Sequence, residues 1–249
     1  MYYISRKSFH AVFGRNLVMV RRSASALVAA CALLVLGAGS LRAERAQARK
    51  VEDALDVFTT MTAIPEREAF QLLMKKTYAL AIFPDVQKVG FVIGGQHGRG
   101  VLIVRDGKET WSRPLFLSLS GASIGWQIGV QSADIVLFFR TRRSVDSVLR
   151  GRYTLGVGAS VAAGSLGRSA AAATDADMKA EIYSYARARG IFIGLSLEGV
   201  SLDVDLDANA AYYGREIDRP SDVLLQGSTA SDPPSARALT EAVESWDKS

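Results

Sequence analysis

The sequence predicts an α+β fold, with an antiparallel β-rich core, sandwich or barrel-like, and amphipathic helices at its N- and C-terminal ends. The first observation is a change of period at Tyr78, after which the hydrophobic period falls to two and glycines multiply. The second is that the flanking segments carry apolar residues at three- and four-residue spacing. Because the many short strands do not alternate with helices, a doubly wound parallel sheet is disfavoured.

The helices are predicted from amphipathic spacing and from their end signals. The amphipathic segments span residues 46–62, 65–77 and 235–247. Pro65 suits the first turn of the second segment. Ser144 is predicted to cap a short helix that ends at Gly151. Residues 207–213 are predicted to form one helical turn before Gly214.

The strands are predicted from alternating or short apolar runs between turn signals. They span residues 78–83, 88–94, 99–105, 115–122, 124–131, 133–140, 153–162, 182–188, 191–197 and 200–206. A hairpin turn is predicted from Gly94 to Gly100. Residues 164–178 are predicted to be a mobile loop, and 220–234 a linker. Glycines that recur every four residues predict a sharply curved sheet: Gly121, Gly125 and Gly129.

Residues 1–43 are typical of a signal peptide or membrane leader. Residues 23–39 carry no charge, follow Arg21-Arg22, and are succeeded by Ala43 at a plausible cleavage point. Export to the periplasm or cell envelope is therefore expected.

Three alternatives for this leader stay open. In the first, translation starts at Met19 instead of Met1, because Met19 lies just before the arginine pair. The leader is an uncleaved anchor in another. In the third, Cys31 is lipidated and tethers the chain to a membrane.

The charge distribution gives no reason to expect a nucleic-acid partner. The whole chain has a formal net charge of +5. Residues 1–43 hold six of the 30 Lys and Arg and none of the 25 Asp and Glu, so residues 44–249 sum to −1. The basic excess belongs to the leader and not to the body.

The residues offer no catalytic group and no cofactor site. The single cysteine excludes a disulfide framework, and His97, predicted to be exposed on the Gly94 to Gly100 turn, is the only histidine after the leader. A strand follows that turn, whereas a phosphate loop needs a helix. Residues 158–162 lack the second glycine of a nucleophile elbow. The chain is therefore predicted not to be an enzyme.

One weak metal site is considered, at three aspartates that alternate along a predicted strand: Asp203, Asp205 and Asp207. A period of two places them on one face. The sequence does not fit a calcium loop, because Ala208 stands where glycine is required. A solvated strand face is the alternative.

A long series of motifs resembles the SYLF domain, a lipid-binding module also known as an actin-binding domain in yeast actin-patch proteins. The first half has Ala81-Ile82-Phe83-Pro84, Lys88-Val89-Gly90-Phe91, Gly94-Gly95, Trp111-Ser112-Arg113-Pro114, Gly121 to Gly125, Gln127, Gly129 and Asp134. The second half has Gly156, Ala162-Ala163-Gly164, Tyr183 to Tyr185, Gly190-Ile191-Phe192, Gly194 to Gly199 and Asn209 to Gly214. Arg113, Ser165 and Ala186 depart from the pattern.

The sequence predicts three regions. Residues 1–43 are the expected leader, the resemblance implies a SYLF-like lipid-binding domain over 44–217, and 218–249 are expected to form a linker and C-terminal helix. The resemblance also implies a β-rich domain that binds lipid, with the N-terminal amphipathic helix assisting membrane contact. Eukaryotic members are associated with phosphoinositides and actin. The leader suggests a bacterial envelope protein, so actin is not expected as a partner and anionic phospholipid is the expected ligand.

Two surfaces are candidates for the membrane contact. The first is an arginine stretch whose guanidinium groups suit phosphate: Arg140, Arg142, Arg143, Arg150 and Arg152. Its alternative is a solvated helix with flanking turns. The second is a set on the first helix: Arg49, Lys50, Val51, Leu55 and Phe58. Its alternative is docking on the protein's own sheet. An adaptor that binds another envelope protein and a lipid-acting enzyme are the rival functions.

Overall fold

The computed structural model describes nine stretches of the chain. They are residues 41–63, 67–106, 110–151, 153–156, 161–163, 180–188, 191–193, 197–225 and 232–248. The chain divides into two compact units, Met1–Ala43 and Glu44–Ser249. The predicted leader up to residue 40, with Cys31, and the predicted 164–178 loop lie outside the described residues. In the described part of the chain, no helix is long and apolar enough to cross a membrane.

Helices frame a set of strands, which confirms the α+β prediction. The helices are α1 (41–62), α2 (Arg67–Lys75), α3 (Arg142–Leu149), α4 (Leu206–Tyr213), α5 (Pro220–Leu224) and α6 (Pro234–Asp247). The strands are β1 (Ala79–Val104), β2 (Leu115–Phe139), β3 (Tyr153–Thr154), β4 (Val161–Ala163), β5 (Ile182–Ala188), β6 (Ile191–Ile193) and β7 (Ser201–Val204).

The seven strands form one sheet around the long antiparallel ribbon of β1 and β2. Ala79 pairs with Phe139 at one end of the ribbon, and Leu102 with Leu115 at the other. The C-terminal part of β2 pairs with β5, which also pairs with β6 antiparallel and with β4 parallel. The N-terminal part of β2 pairs with β7, and β7 with β3. The sheet is antiparallel except at β4.

The ribbon doubles back so that its two ends meet. The backbone N–H of Arg105, after β1, donates to the carbonyl of Tyr78, before β1, over 2.9 Å. The register between β1 and β2 shifts twice, once between Phe83 and Val86 and once between Gly90 and Val92. The second shift lies opposite β2 between Gly129 and Gly125, so it falls within the glycine series from which curvature is predicted.

The predicted strand boundaries need correction wherever strand pairing crosses a glycine. The first three predicted strands are one strand, β1, and the next three are one strand, β2. The predicted turn from Gly94 to Gly100 is wrong, because these residues pair with β2 from Ser123 to Leu117. His97 is exposed as predicted, but on a strand. The last predicted strand is shorter than expected, because Leu206 begins α4.

Near the ends of β1 and β2, both faces of the sheet are buried. Residues Ala79, Ala81 and Phe83 of β1 belong to a first core cluster, which α3 and α5 cover. Between them, Leu80 and Ile82 belong to a second core cluster, which α1, α2, α4 and α6 cover. The period of two therefore sends alternate side chains into separate cores.

Two helical predictions are corrected by local contacts. The short helix α3 begins before Ser144, because the Thr141 side chain accepts from the Ser144 backbone N–H over 3.2 Å and is the N-cap. The predicted linker over 220–234 contains a helix, α5, whose Val223 is buried. Gly214, at φ 63°, ends α4 in the left-handed conformation that glycine favours.

Candidate functional site

The described residues enclose a cavity of about 160 Å³ where the loop end of the β1–β2 ribbon meets α3 and α5. Its apolar lining comes from all of these elements: Tyr78, Val104, Trp111, Val145, Leu149, Leu224 and Leu225. Its charged lining consists of Arg105, Asp106, Arg142 and Asp146. A pocket with an apolar wall and a few charged groups is the usual form of a small-ligand site.

Helix α3 presents one charged pair to this cavity. Val145 and Val148 are buried in the first core cluster and fix the orientation of the helix. Arg142 and Asp146, four residues apart, then lie beside Val145 on the cavity wall. The Arg142 Nε lies 3.7 Å from the Asp146 Oδ2, with 76% and 44% of the two side chains exposed. A pair this exposed is weak.

The opposite wall of the cavity holds Arg105 against Trp111. The Arg105 guanidinium lies 5.0 Å from the centre of the Trp111 ring. Its Nη2 donates to Asp247 at the end of α6 over 2.8 Å and to the Met74 carbonyl over 3.2 Å. In the described structure, the buried Arg105 Nε and Trp111 Nε1 have no hydrogen-bond partner. The Arg105 guanidinium is thus directed towards α2 and α6, and Trp111 belongs to the second core cluster.

The structure separates the arginines of the predicted stretch. Arg142 lines the cavity, while Arg143 and Arg150 are exposed on an adjacent face of α3. The Arg150 Nη2 donates to the Ser147 hydroxyl over 3.1 Å. Arg140 is half-buried and donates to the Ala180 carbonyl over 3.5 Å. Arg152 lies outside the described residues. Of the four arginines of this stretch that the structure describes, only Arg142 lines the cavity.

The apolar face of the first helix is docked on the protein's own sheet. Val51 is fully buried and Phe58 is 2% exposed, both in the second core cluster. Leu55 is partly buried against the same cluster. Lys50 pairs with Asp53 over 3.3 Å, and Arg49 is exposed. The docking alternative is the arrangement that the structure shows, and these apolar side chains do not face a bilayer.

The three aspartates do not share a strand face, so this part of the sequence prediction is wrong. Asp203 is in β7, whereas the Asp205 side chain accepts from the Ala208 backbone N–H over 3.0 Å as the N-cap of α4. Asp207 lies in the first turn of that helix. Asp205 also pairs with Arg99 over 3.4 Å. Within the described ranges, no group of three or more His, Cys, Asp or Glu side chains could hold a metal ion.

Sequence reasoning misses one wall of the cavity. Arg105 is the last residue of the predicted strand 99–105, Trp111 lies before the next predicted strand, and the structure bridges the two residues across the ribbon end. The contacts of Arg105 with Asp247 and of the Trp111 backbone N–H with Glu244 join residues far apart in sequence. No local pattern reports such contacts.

Comparison with known proteins identifies similar domains in eukaryotes. The family model Ysc84, described as Las17-binding protein actin regulator, matches residues 120–246. Protein YSC84 of Saccharomyces cerevisiae is 33% identical over 213 residues, which is 83% of this chain and 44% of that protein. LAS seventeen-binding protein 3 of the same organism is 34% identical over 176 residues, 70% of this chain and 38% of that protein.

A human protein is similar over nearly the same share of the chain. The SH3 domain-containing YSC84-like protein 1 of Homo sapiens is 32% identical over 207 residues, or 81% of this chain and 59% of that protein. The chain thus spans about half the length of the curated relatives that it matches.

Proposed function

Because this chain belongs to the Ysc84 family, whose domain is also called SYLF, we propose that it is a non-enzymatic binding protein that contacts phospholipid head groups at the bacterial cell envelope. The observation that supports this most directly is the cavity at α3, which Arg142 lines, with Arg143 and Arg150 on the same short segment of the chain. All three are exposed. Guanidinium groups bind phosphate through charge-assisted hydrogen bonds, often in pairs.

The apolar rim of the cavity supports a lipid over a free anion. Leu225 is 80% exposed, and Leu224 is half-buried beside it. An apolar rim next to basic residues matches an amphiphile, whose phosphate and glycerol-acyl region are adjacent. The proposed envelope location rests on the leader over residues 1–43.

A second candidate function is an adaptor for a protein partner. The name of one yeast relative, LAS seventeen-binding protein 3, states that it binds a protein, and the description of the family adds actin regulation. The same arginine surface would then contact an acidic partner. This role requires a partner of the bacterial envelope, since the proposed location excludes actin.

Vesicle flotation of the full-length chain tests the lipid proposal. The variant Arg142→Gln, Arg143→Gln and Arg150→Gln should lose flotation with phospholipid vesicles and keep its circular dichroism spectrum. A matched control removes three exposed cations from the helices on the other core cluster: Arg49→Gln, Lys75→Gln and Lys76→Gln. The control should float like the native chain. Loss of flotation in the control alone would move the contact to α1 and α2, and no flotation by the native chain would favour the adaptor.

A further inference from the structure

The middle of the β1–β2 ribbon runs beyond the other strands of the sheet. β2 pairs with β7 up to Ser120 and with β5 from Asp134 onwards. Between these two residues, within the part of the chain that the structure describes, β2 pairs with β1 alone. We call this two-stranded part, residues 87–96 of β1 and 121–132 of β2, the ribbon bend. As far as its residues are described, none of them belongs to either core cluster.

The ribbon turns back on itself inside this bend. A Cβ added at Gly98 would lie 2.7 Å from the Cγ2 of Val86, so two parts of β1 lie against each other there. This close approach and the hydrogen bond that joins the ribbon ends are both symmetric about residues 91–92. The turning point therefore lies at these residues, opposite 125–129 of β2, where the register between the strands shifts.

The two faces of the bend differ in exposure where their residues are described. Gly95 and His97 are exposed, and so is Ala122, the β2 partner of Gly95. On the other face, the Gln96 side chain is 5% exposed, and Gly98 approaches the returning half of β1. The face that holds His97 is thus the outer face of the turn, and the face that holds Gln96 is the inner one.

The sequence assigns the large apolar residues of the bend to its outer face. A period of two puts alternate residues on one face, and the register shift preserves it because β1 advances by two residues and β2 by four. The residues that share the outer face with His97 are Val89, Phe91, Ile93, Ile124, Trp126, Ile128 and Val130. The inner face receives Gly90, Val92, Ser123, Gly125, Gln127 and Gly129. A contiguous apolar patch of this kind marks an interaction surface.

The charge pattern favours a lipid surface as the partner of this patch. Residues 89–98 and 115–133 contain no Asp, Glu, Lys or Arg. On β1, the uncharged stretch is bordered by Lys88 and Arg99. Tryptophan, here Trp126, is enriched where a bilayer meets water. An uncharged apolar tip with cations behind it matches the acyl boundary of a bilayer and the phosphates above it.

The geometry of the bend limits insertion to a shallow depth. Three residues lead from Lys88 to the turning point at Phe91, so the tip extends about 10 Å beyond the cation at about 3.3 Å per residue. Interfacial segments lie at about 5–10 Å into the boundary of head groups and acyl chains. In the described pairing, the two strands of the bend have only each other as partners. Deeper insertion would leave their outer backbone groups unpaired in hydrocarbon.

We propose that the ribbon bend inserts the apolar residues of its outer face into the interface of a lipid bilayer. The inference rests on the proposed lipid-binding function and adds an apolar contact that is independent of the arginines of α3. Helix α3 lies where the two ends of the ribbon meet, whereas the bend is the part of the ribbon farthest from those ends in sequence. Phe91, Trp126 and Ile128, at the turning point, enter the acyl boundary.

Quenching of tryptophan fluorescence tests the insertion in the full-length chain. The vesicles contain phosphatidylcholine and phosphatidylglycerol, and in one preparation the acyl chains carry bromine near the head groups. Trp126 is the only tryptophan of the bend, and residues 1–43 contain none, so an inserted leader gives no signal. Trp111 is 1% exposed, and Trp246 is packed against the second core cluster. Brominated vesicles should therefore quench the native chain through Trp126.

Two conservative replacements identify the quenched residue. Trp126→Phe keeps an aromatic ring in the bend but removes the probe, so it should lose most of the quenching and still float with vesicles. Trp246→Phe is the matched control and should keep the native quenching. Quenching that survives in Trp126→Phe and is lost in Trp246→Phe would overturn the inference.

A third replacement tests whether the apolar side chains supply the affinity. Phe91→Ser keeps Trp126 as the probe and should raise the lipid concentration at half-maximal quenching about tenfold, because one large apolar side chain no longer leaves water. Leu72→Ser is the control, since Leu72 lies on α2 and is 42% exposed. It should quench like the native chain. If Phe91→Ser does not keep the native circular dichroism spectrum, Ile128→Ser takes its place.

The outcomes separate this inference from the proposed function. Flotation of the native chain without quenching overturns the insertion and leaves the lipid-binding function in place. Quenching that Phe91→Ser weakens, but that the combined Arg142→Gln, Arg143→Gln and Arg150→Gln variant retains, supports the bend and removes the arginine contact. Equal weakening by Phe91→Ser and Leu72→Ser overturns the inference. A native chain that neither floats nor is quenched overturns both proposals.

Discussion

Asn209 is a fully buried polar side chain that joins α4 to β2. Its Oδ1 accepts from the Phe116 backbone N–H over 2.9 Å, and its Nδ2 donates to the Phe116 carbonyl over 3.1 Å. The same Nδ2 donates to the Asp205 carbonyl over 2.7 Å. One amide thereby substitutes for a missing strand partner at Phe116, because only an amide offers a donor and an acceptor side by side.

Replacement of this amide should be costly. Asn209→Ala leaves the buried backbone N–H of Phe116 unpaired, whereas the Phe116 carbonyl still accepts from the Asp205 N–H over 3.0 Å, so the free energy of unfolding should fall by about 2 kcal/mol. Asn209→Asp keeps the acceptor but loses the donor, and it should also destabilise the fold. Urea denaturation measures both. A loss below about 0.5 kcal/mol in Asn209→Ala would show that water replaces the amide.

Tyr212 makes the stability of the fold sensitive to alkali. Burial raises its pKa from 10.0 to about 12, and a 2.8 Å hydrogen bond joins its hydroxyl to that of Ser235. The folded state holds the phenolic proton more tightly than the unfolded state does. The resulting contribution to the free energy of unfolding is therefore complete below pH 10 and is lost as the pH rises towards 12. Burial raises the pKa of the neighbouring Tyr213 as well.

The Tyr212→Phe variant isolates this effect. Near neutral pH its free energy of unfolding should be about 1 kcal/mol lower than that of the native protein, because the hydrogen bond to Ser235 is lost. Its unfolding free energy should then fall less steeply between pH 10 and pH 12 than that of the native protein, because one titrating group is gone. Denaturant titrations across this range measure the slopes. Parallel curves for the two proteins would assign the alkaline loss to other groups.

Strand β1 requires glycine at position 100, because the ribbon doubles back and brings the backbone of Ile82 against this residue. A Cβ added at Gly100 would clash with the carbonyl oxygen of Ile82 and lie 2.7 Å from Cδ1 of Phe83. Gly100→Ala should therefore destabilise the protein by about 3 kcal/mol, because backbone on one side cannot move aside cheaply. Thermal unfolding measures the change.

The matched control lies in the same strand. A Cβ at Gly95 would meet only the Gly121 carbonyl, at 4.0 Å, which is ordinary contact. Gly95→Ala should change stability by no more than about 0.5 kcal/mol. If the two variants have the same melting temperature, close approach of the backbone is not the reason for the glycine at position 100.

Helix α6 is tied to the sheet by a buried ion pair as well as by its apolar face. The Arg113 Nη2 lies 2.8 Å from the Asp232 Oδ1, and its Nε donates to the Oδ2 over 2.9 Å. The two side chains are 12% and 4% exposed. Ala236, Leu239 and Val243 of the helix belong to the second core cluster. Among the described residues after 217, side chains of both α5 and α6 thus belong to the core clusters.

Breaking this pair should destabilise the attachment of α6. Asp232→Asn removes the carboxylate charge from a buried, bidentate ion pair, at a cost of about 3 kcal/mol. Asp222→Asn is the matched control, because Asp222 pairs with Arg219 at 3.2 Å on the surface, where 77% of the arginine is exposed. The control should cost less than about 1 kcal/mol. Equal losses in urea denaturation would contradict the distinction between buried and exposed pairs.

At the scale of elements, the sequence predicts the helices and strands whose hydrophobic periodicity lies within their own residues. Ile182–Ala188 and Pro234–Asp247 are found within one residue of their predicted bounds, since each carries its own periodicity. Residues 94–100 are misassigned because glycines favour turns, whereas pairing with a distant strand decides their conformation. The start of α4 at Leu206 is missed because alternating aspartates imitate a strand.

The same limit applies to the cavity. The arginines of α3 are visible in the sequence because they cluster within one short segment. Arg105 and Trp111 become part of the site only when the ends of the ribbon meet, as the hydrogen bond from Arg105 to Tyr78 shows. Because the two ends of the ribbon join residues distant in sequence, no local sequence pattern predicts that they meet.

At the scale of the whole molecule, the leader remains a prediction that can be tested directly. The uncharged run over 23–39 after Arg21-Arg22 leads us to expect processing near Ala43. N-terminal sequencing of the protein from an envelope fraction should find a start close to residue 44. An intact segment over 30–43 would refute cleavage there, and a diacylated Cys31 would support the lipoprotein alternative.

The charge of the whole molecule bears on how it meets a membrane. Residues 44–249 have a formal net charge of −1, so any electrostatic attraction to a bilayer is local to a surface such as α3. Exposed charges are screened beyond about 8 Å at physiological ionic strength and about 3 Å at 1 M salt. The contribution of the three α3 arginines should therefore decline as salt is added.

Flotation across a salt series separates this local attraction from apolar contact. At low salt the native chain should bind more strongly than the variant in which Arg142, Arg143 and Arg150 are replaced by Gln, since each cation near an anionic surface contributes about 1 kcal/mol. Near 1 M salt the two should converge. Native binding that resists salt would instead assign the affinity to apolar contact, for which the exposed Leu225 at the cavity rim is the nearest candidate. A Leu225→Ser variant would then lose binding at every salt concentration, whereas the arginine variant would not.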